Sequence, residues 1–477
     1  MKKIFYFSVF AALLLSFVLF QESPAVNAQR GETVFRLVTQ PKPMAEGARS
    51  SPASVREAVI TFNGRIAESA GREVLRIPLF DGKIYEAGVT SVERRSATDS
   101  TWRGKIKQGD DHDVILTFRG DHVSGLIFSH DAVYEIIPRG DEHILIELDQ
   151  RLFPECGGEV IDEMASTDAV APSPESSIDS GDRIDVLVVY TTATKNFLGG
   201  DAQVQTFAQS AVDSTNSTYI NSKVRQRIRL VHAAEYEFVE TGNSSNDLTT
   251  LRANATVQAL RNTHNADLVA MLGEVSDVCG IAYLVGTPGG QASGYSLTAR
   301  SCAIGNLTFA HELGHNMASH HNPENAGSAL YPYSYGHWID GQYRTVMSYI
   351  NPCTNGCVRR PYWSNPNVRF NNIPTGVENL RDNVRSLNNT ANNVANYRYS
   401  GKSITLTRFT GAEIIPRRVG RTVTWTSANV TGNVRIEITR DEGTTWQTLV
   451  GSAPNTGSAV VNVGGTPSKK VRLRVVS

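Results

Sequence analysis

The segment best equipped for chemistry is His311-Glu312-Leu313-Gly314-His315. Two histidines four apart lie one turn apart on one face of a helix, so both imidazoles reach a single metal ion. Glu312 follows the first of them and is placed to act as general base on water held at that metal. Zinc suits such a site: it takes imidazole ligands, has no redox chemistry and leaves a fourth position open. With 11 His in 477 residues, the five-residue pattern arises by chance in roughly one such sequence in a hundred. The flanks argue against chance. Leu307, Phe309 and Ala310 are apolar, and Gly314, a poor helix former, leaves room for close packing. A third imidazole is offered by His320 or His321. A continuous helix would turn His321 far from the metal face, so the chain has to bend after His315, and the usual device is a left-handed residue.

His311-Glu312-x-x-His315-x-x-Ala318-x-x-His321 resembles the long zinc motif of the metzincins. Asp267-Leu268-Val269-Ala270, Cys279-Gly280-Ile281-Ala282-Tyr283 and Thr345-Val346-Met347-Ser348-Tyr349 extend the likeness to the adamalysin/reprolysin-like metalloendopeptidases and their secreted bacterial relatives. The likeness covers about residues 182–400. It implies that His321 is the third ligand, with His320 lining the cleft or facing solvent, and that Met347 lies beneath the imidazoles. It also implies that Tyr349 approaches the zinc or the oxyanion. Gly280, Ile281, Ala282 and Tyr283 become an antiparallel edge strand that pairs with an extended substrate, which fits a peptide. Ala318 departs from the family, which has Gly there; the left-handed conformation costs Ala about 1 kcal/mol.

The chain has five cysteines. Cys279, Cys302, Cys353 and Cys357 allow three pairings, and neighbour pairing is expected: Cys279 with Cys302, and Cys353 with Cys357. Cys156 is left over. A thiolate is a strong zinc ligand, so Cys156 either caps the metal in a silent precursor or is a buried, vestigial thiol.

Other elements must place these groups. Lys2 and Lys3, the apolar run Ile4–Phe20 and the small residues Val26-Asn27-Ala28 have the layout of a secretory signal peptide over residues 1–28. The alternative is an uncleaved anchor, since 17 residues is the short end of a span. Residues 29–178 hold 17 Lys+Arg and 25 Asp+Glu, 179–400 hold 16 and 17, and 401–477 hold 11 and 4. Three blocks so differently charged read as separate units. The first alternates apolar and polar residues, as at Asp113–Phe118, Val123–Phe128 and His143–Leu148, and ends in a polar linker over Met164–Ser177. The second runs strand–helix–strand–helix–strand: Ile184–Tyr190, Asp201–Val224, Arg227–Val239, Asp247–Asn265 and Ala266–Leu272. That order implies an α/β layer with a mostly parallel sheet. The third carries short strands at even spacing, a small β-sandwich.

The expectation is a secreted, multidomain zinc metalloendopeptidase made as a preproenzyme. A β-rich acidic propeptide (29–178) precedes an α/β metzincin catalytic domain (179–400) and an accessory β-sandwich (401–477). Its partners are polypeptide substrates, with surface or matrix binding assigned to the last block. A net charge of −1 excludes a protein that coats nucleic acid, and no stable membrane anchor remains after signal cleavage. Calcium binding is left open. The rival reading is a catalytically inactive or non-peptide-directed zinc protein that acts through its C-terminal block.

Overall fold

The computed structural model describes residues 32–43, 49–63, 71–107, 112–130, 132–160, 179, 181–409, 414, 419–441 and 445–477. The expected signal peptide (1–28) and the expected linker (Met164–Ser177) lie outside the described residues.

The first block is an 11-stranded sheet. Its middle is an antiparallel meander from Val74–Pro78 to Glu142–Leu148, where the chain returns to Ser54–Phe62. Strands such as Asp113–Arg119, His122–Phe128 and Val133–Arg139 are buried along almost their whole length, so both faces must be covered. The pleat divides them. Ile127, Ile136 and Leu145 join Trp102 and Phe118 in a core of the block's own. Leu126, Phe128, Ile144 and Ile146 face the other way, into the core of the middle block.

The middle block has a six-stranded sheet in the order Glu159–Val160, Gly280–Tyr283, Tyr295–Ala299, Leu268–Gly273, Arg183–Thr191 and Arg227–Tyr236. All pairings are parallel except that of Gly280–Tyr283 with Tyr295–Ala299. The first of these strands belongs to the acidic block. The helix expected over Asp247–Asn265 is two helices, Ser244–Ala253 and Ala255–Thr263. Asn254 leaves helical geometry between them, and its Oδ1 accepts from the Val257 N–H at 3.0 Å, capping the second.

Helix Asp201–Ser222 was legible from one apolar face, but it is buried nearly all round. One side lies on its own sheet and the other under the first block. Asp213, fully buried, accepts from Thr117 Oγ1 at 2.7 Å, Gln209 Nε2 at 3.1 Å and the Arg95 guanidinium at 3.2 Å, and also from Thr101. All three outside donors, one guanidinium and two hydroxyls, must leave together if the blocks part, since Arg95, Thr101 and Thr117 all belong to the first block. At the tip of one hairpin Gly140 donates to Leu198 O at 2.7 Å. A Cβ on Gly199 would lie 2.4 Å from Gly140 N, so the two backbones meet only because Gly199 has no side chain.

The last block has two three-stranded sheets, with Ser403–Leu406, Gly420–Ala428 and Ser458–Asn462 in one and Gln447–Ala453, Val434–Thr439 and Arg472–Val476 in the other. Val423, Trp425, Ile436, Ile438 and Val461 fill the space between them. Among the described residues no helix is long and apolar enough to cross a membrane.

Candidate metal centre

Helix Thr308–His315 is fully buried beside the sheet. Gly314 makes its close packing feasible: a Cβ there would lie 2.6 Å from the Trp363 ring and 2.9 Å from Met347 Sδ. Met347 is fully buried beneath the helix. Asn316, which the sequence did not single out, donates to Tyr283 O at 2.8 Å and Tyr295 O at 3.1 Å, locking the helix end to the strands beside it.

After His315 the chain turns back. Ser319 N donates to Gly314 O at 2.9 Å, and Ala318 sits at φ +61°, the left-handed residue that ends the helix. The turn returns His321 to the other two imidazoles. The three Nε2 atoms lie 3.0, 3.0 and 3.2 Å apart. Nitrogens around one tetrahedral zinc would stand about 3.3 Å apart for Zn–N bonds of about 2.05 Å, so the cluster has the size of a cation site. His311 Nδ1 lies 2.9 Å from Val346 O, and His315 Nδ1 lies 2.9 Å from Ser319 O. Carbonyls there fix the proton on Nδ1 and turn the Nε2 lone pair inward. Burial and the neighbouring imidazoles hold all three histidines below their usual pKa, His315 at about 3. They are neutral near pH 7, the form that ligates.

His320 does not face solvent. It is 1% exposed, its backbone forms an isolated bridge with Tyr335, and its ring stacks on that of Tyr335. Alternate residues of an irregular segment point in unrelated directions, so adjacency to His321 says nothing of its environment.

Glu312 is fully buried next to Gly280, where a Cβ would lie 2.5 Å from its Oε1. Cys156 Sγ joins the three imidazoles, with all four ligand atoms within 4.8 Å of one another and 3.9 Å separating Sγ from His315 Nε2. Desolvation and the charge of Glu312 push the thiol up in the absence of a cation; a bound zinc reverses that sign and deprotonates it. The Tyr349 hydroxyl donates to Cys156 O at 2.8 Å, its ring centroid lies 4.3 Å from that of His321, and its N–H donates to Asn322 Oδ1 at 2.9 Å.

The strand Gly280–Tyr283 has its free edge covered. Cys279 N donates to Glu155 O at 3.0 Å, Gly157 N to Gly280 O at 2.7 Å and Leu284 N to Val160 O at 2.9 Å. Residues 155–160 thus lie along the edge expected to take substrate. Cys279 is bonded to Cys302, and Cys353 to Cys357.

A family model described as metallo-peptidase family M12, reprolysin type, matches residues 180–359. A peptidyl-Asp metalloendopeptidase of Stenotrophomonas maltophilia is 31% identical over 66% of this chain and 81% of its own. The chain belongs to the reprolysin-like metalloendopeptidases of family M12. Another peptidyl-Asp metalloendopeptidase, from Xanthomonas campestris, is 29% identical over 80% of this chain and 94% of the relative. A solved metalloproteinase-II from Bacteroides fragilis matches with a TM-score of 0.32 at 10% identity, over 52% of this chain and 81% of that one, too weakly to bear on the fold. This metalloendopeptidase acts on polypeptides and requires a metal.

Proposed function

We propose that the protein is a secreted zinc endopeptidase made as a latent precursor and that it cuts beside aspartate, the residue its relatives are named for. The observation that carries the metal assignment is the trio of inward-facing Nε2 atoms 3.0–3.2 Å apart. His311, His315 and His321 hold the ion. When bound, zinc acidifies water toward neutral pH and polarises a carbonyl. Glu312 takes the proton of the attacking water and hands it to the leaving amine. Gly280–Tyr283 pairs with the substrate backbone, and the Tyr349 hydroxyl, released from Cys156 O, is free to donate to a developing oxyanion.

Residues 1–28 serve as signal peptide, 29–178 as propeptide, 179–400 as catalytic domain and 401–477 as an accessory domain that binds a surface or matrix. In the precursor Cys156 takes the open metal position, and residues 155–160 lie where substrate would. Cutting the linker between about Met164 and Asp182 is the activating event.

Replacement of Glu312 by Ala tests the reading. The variant retains about one zinc per chain and loses activity by about 10³-fold, the worth of a positioned base. Loss of metal and activity together would make Glu312 structural.

A further inference from the structure

Two buried arginines stand beside the metal centre with no role in the chemistry above. Tyr343–Arg344 pairs in parallel with Val358–Arg359, and the register sets Arg344 directly against Arg359. Like charges opposite one another in a sheet repel, and both residues are only 2% exposed. Neither makes an ion pair among the described residues. The Arg344 guanidinium donates to Ser348 O at 2.7 Å and to Asn306 Oδ1 at 3.4 Å. That of Arg359 donates to Asn306 O at 2.8 Å and to Ser348 O at 3.1 Å. Neutral acceptors offset only part of the cost of burying two cations. The Nε of each remains without a partner although buried.

Glu155 is the carboxylate whose charge acts favourably on both arginines, without an ion pair to either; Glu312 acts on Arg359 alone. Glu155 directly precedes Cys156, and its Oε1 accepts from Ile350 N at 3.2 Å, just beyond the segment Arg344–Tyr349. Glu155 belongs to the first block, so the counter-charge departs when that block does. A catalytic domain left with two adjacent, desolvated guanidiniums next to its metal selects a ligand that brings a carboxylate.

We infer that Arg344, Arg359 and the Ile350 N–H form the recognition pocket for an acidic substrate side chain, and that Glu155 fills it in the precursor as a built-in mimic. The inference rests on the endopeptidase reading above and names the residues behind its substrate preference.

The mature enzyme, cut free of the first block, is assayed on paired peptides that differ only in Asp or Asn beside the scissile bond. Arg359→Gln lowers the Asp-over-Asn ratio of kcat/KM by about 100-fold, and Arg359→Lys restores part of it. A folded, zinc-loaded Arg359→Gln enzyme whose ratio stays within about threefold of wild type overturns the pocket. A second measurement needs no variant enzyme. The octapeptide Phe153–Val160 inhibits the wild-type enzyme, and its Glu155→Gln form does so at least about tenfold more weakly. Equal inhibition by the two also overturns it. A wild-type enzyme that cuts peptides with no acidic preference contradicts the aspartate reading itself, and one that cuts none contradicts the endopeptidase reading.

Discussion

At the scale of single residues, His320 and His321 are neighbours with different work. His321 Nε2 lies 3.0 Å from those of both helical histidines, whereas His320 stacks on Tyr335 away from the cluster. His321→Ala therefore removes most of the bound zinc. His320→Ala leaves about one zinc per chain but empties a buried site, and it lowers stability by about 2 kcal/mol. Metal analysis and thermal unfolding of the two variants check the split, and zinc loss in His320→Ala would exchange the roles. The ligating pair and its base were legible in the sequence because a helix places residues 311, 312 and 315 by local geometry alone. Glu155 and the Arg344–Arg359 pair were not. Their meeting depends on a strand register and on a contact between blocks, and neither leaves a periodic trace.

At the scale of elements, the bend after the metal-site helix decides whether a third ligand exists. Ala318 occupies φ +61° with its side chain buried. Ala318→Gly relieves about 1 kcal/mol of backbone strain, but it also loses a buried methyl and loosens the unfolded chain. The two effects are of similar size, so the melting temperature shifts by only a few degrees and zinc is retained. Ala318→Val puts a β-branched side chain at positive φ; it disrupts the bend, and zinc is lost with the geometry of His321. Metal content of the two proteins is the check, and full zinc in Ala318→Val would mean that the bend is not required. The sequence announced this turn through its spacing. It did not announce the all-round burial of Asp201–Ser222, because Gln209, Asp213 and Ser217 are polar residues that become core only when another block covers them.

At the scale of the whole molecule, the first block is fused into the core of the middle one. Glu135 sits on that seam, 2% exposed, near Glu57 and facing Arg300. A Cβ on Gly305 of the middle block would lie 2.7 Å from its Oε2. Burial raises its pKa to about 8. The folded state therefore binds more protons than the unfolded one from about pH 4.5 up to that value, and stability falls as pH rises through this window. The uncut precursor loses melting temperature from pH 6 to pH 8, and Glu135→Gln flattens that loss; an unchanged slope in the variant would assign the loss to other groups. The same fusion carries Cys156 to the metal, and this is the central claim. X-ray absorption at the zinc edge of the uncut precursor and of the cleaved enzyme tests it most directly. The precursor is predicted to show three nitrogen ligands at about 2.0–2.1 Å and one sulfur at about 2.3 Å, and the cleaved enzyme to show no sulfur. A precursor whose zinc has no sulfur ligand would contradict the account.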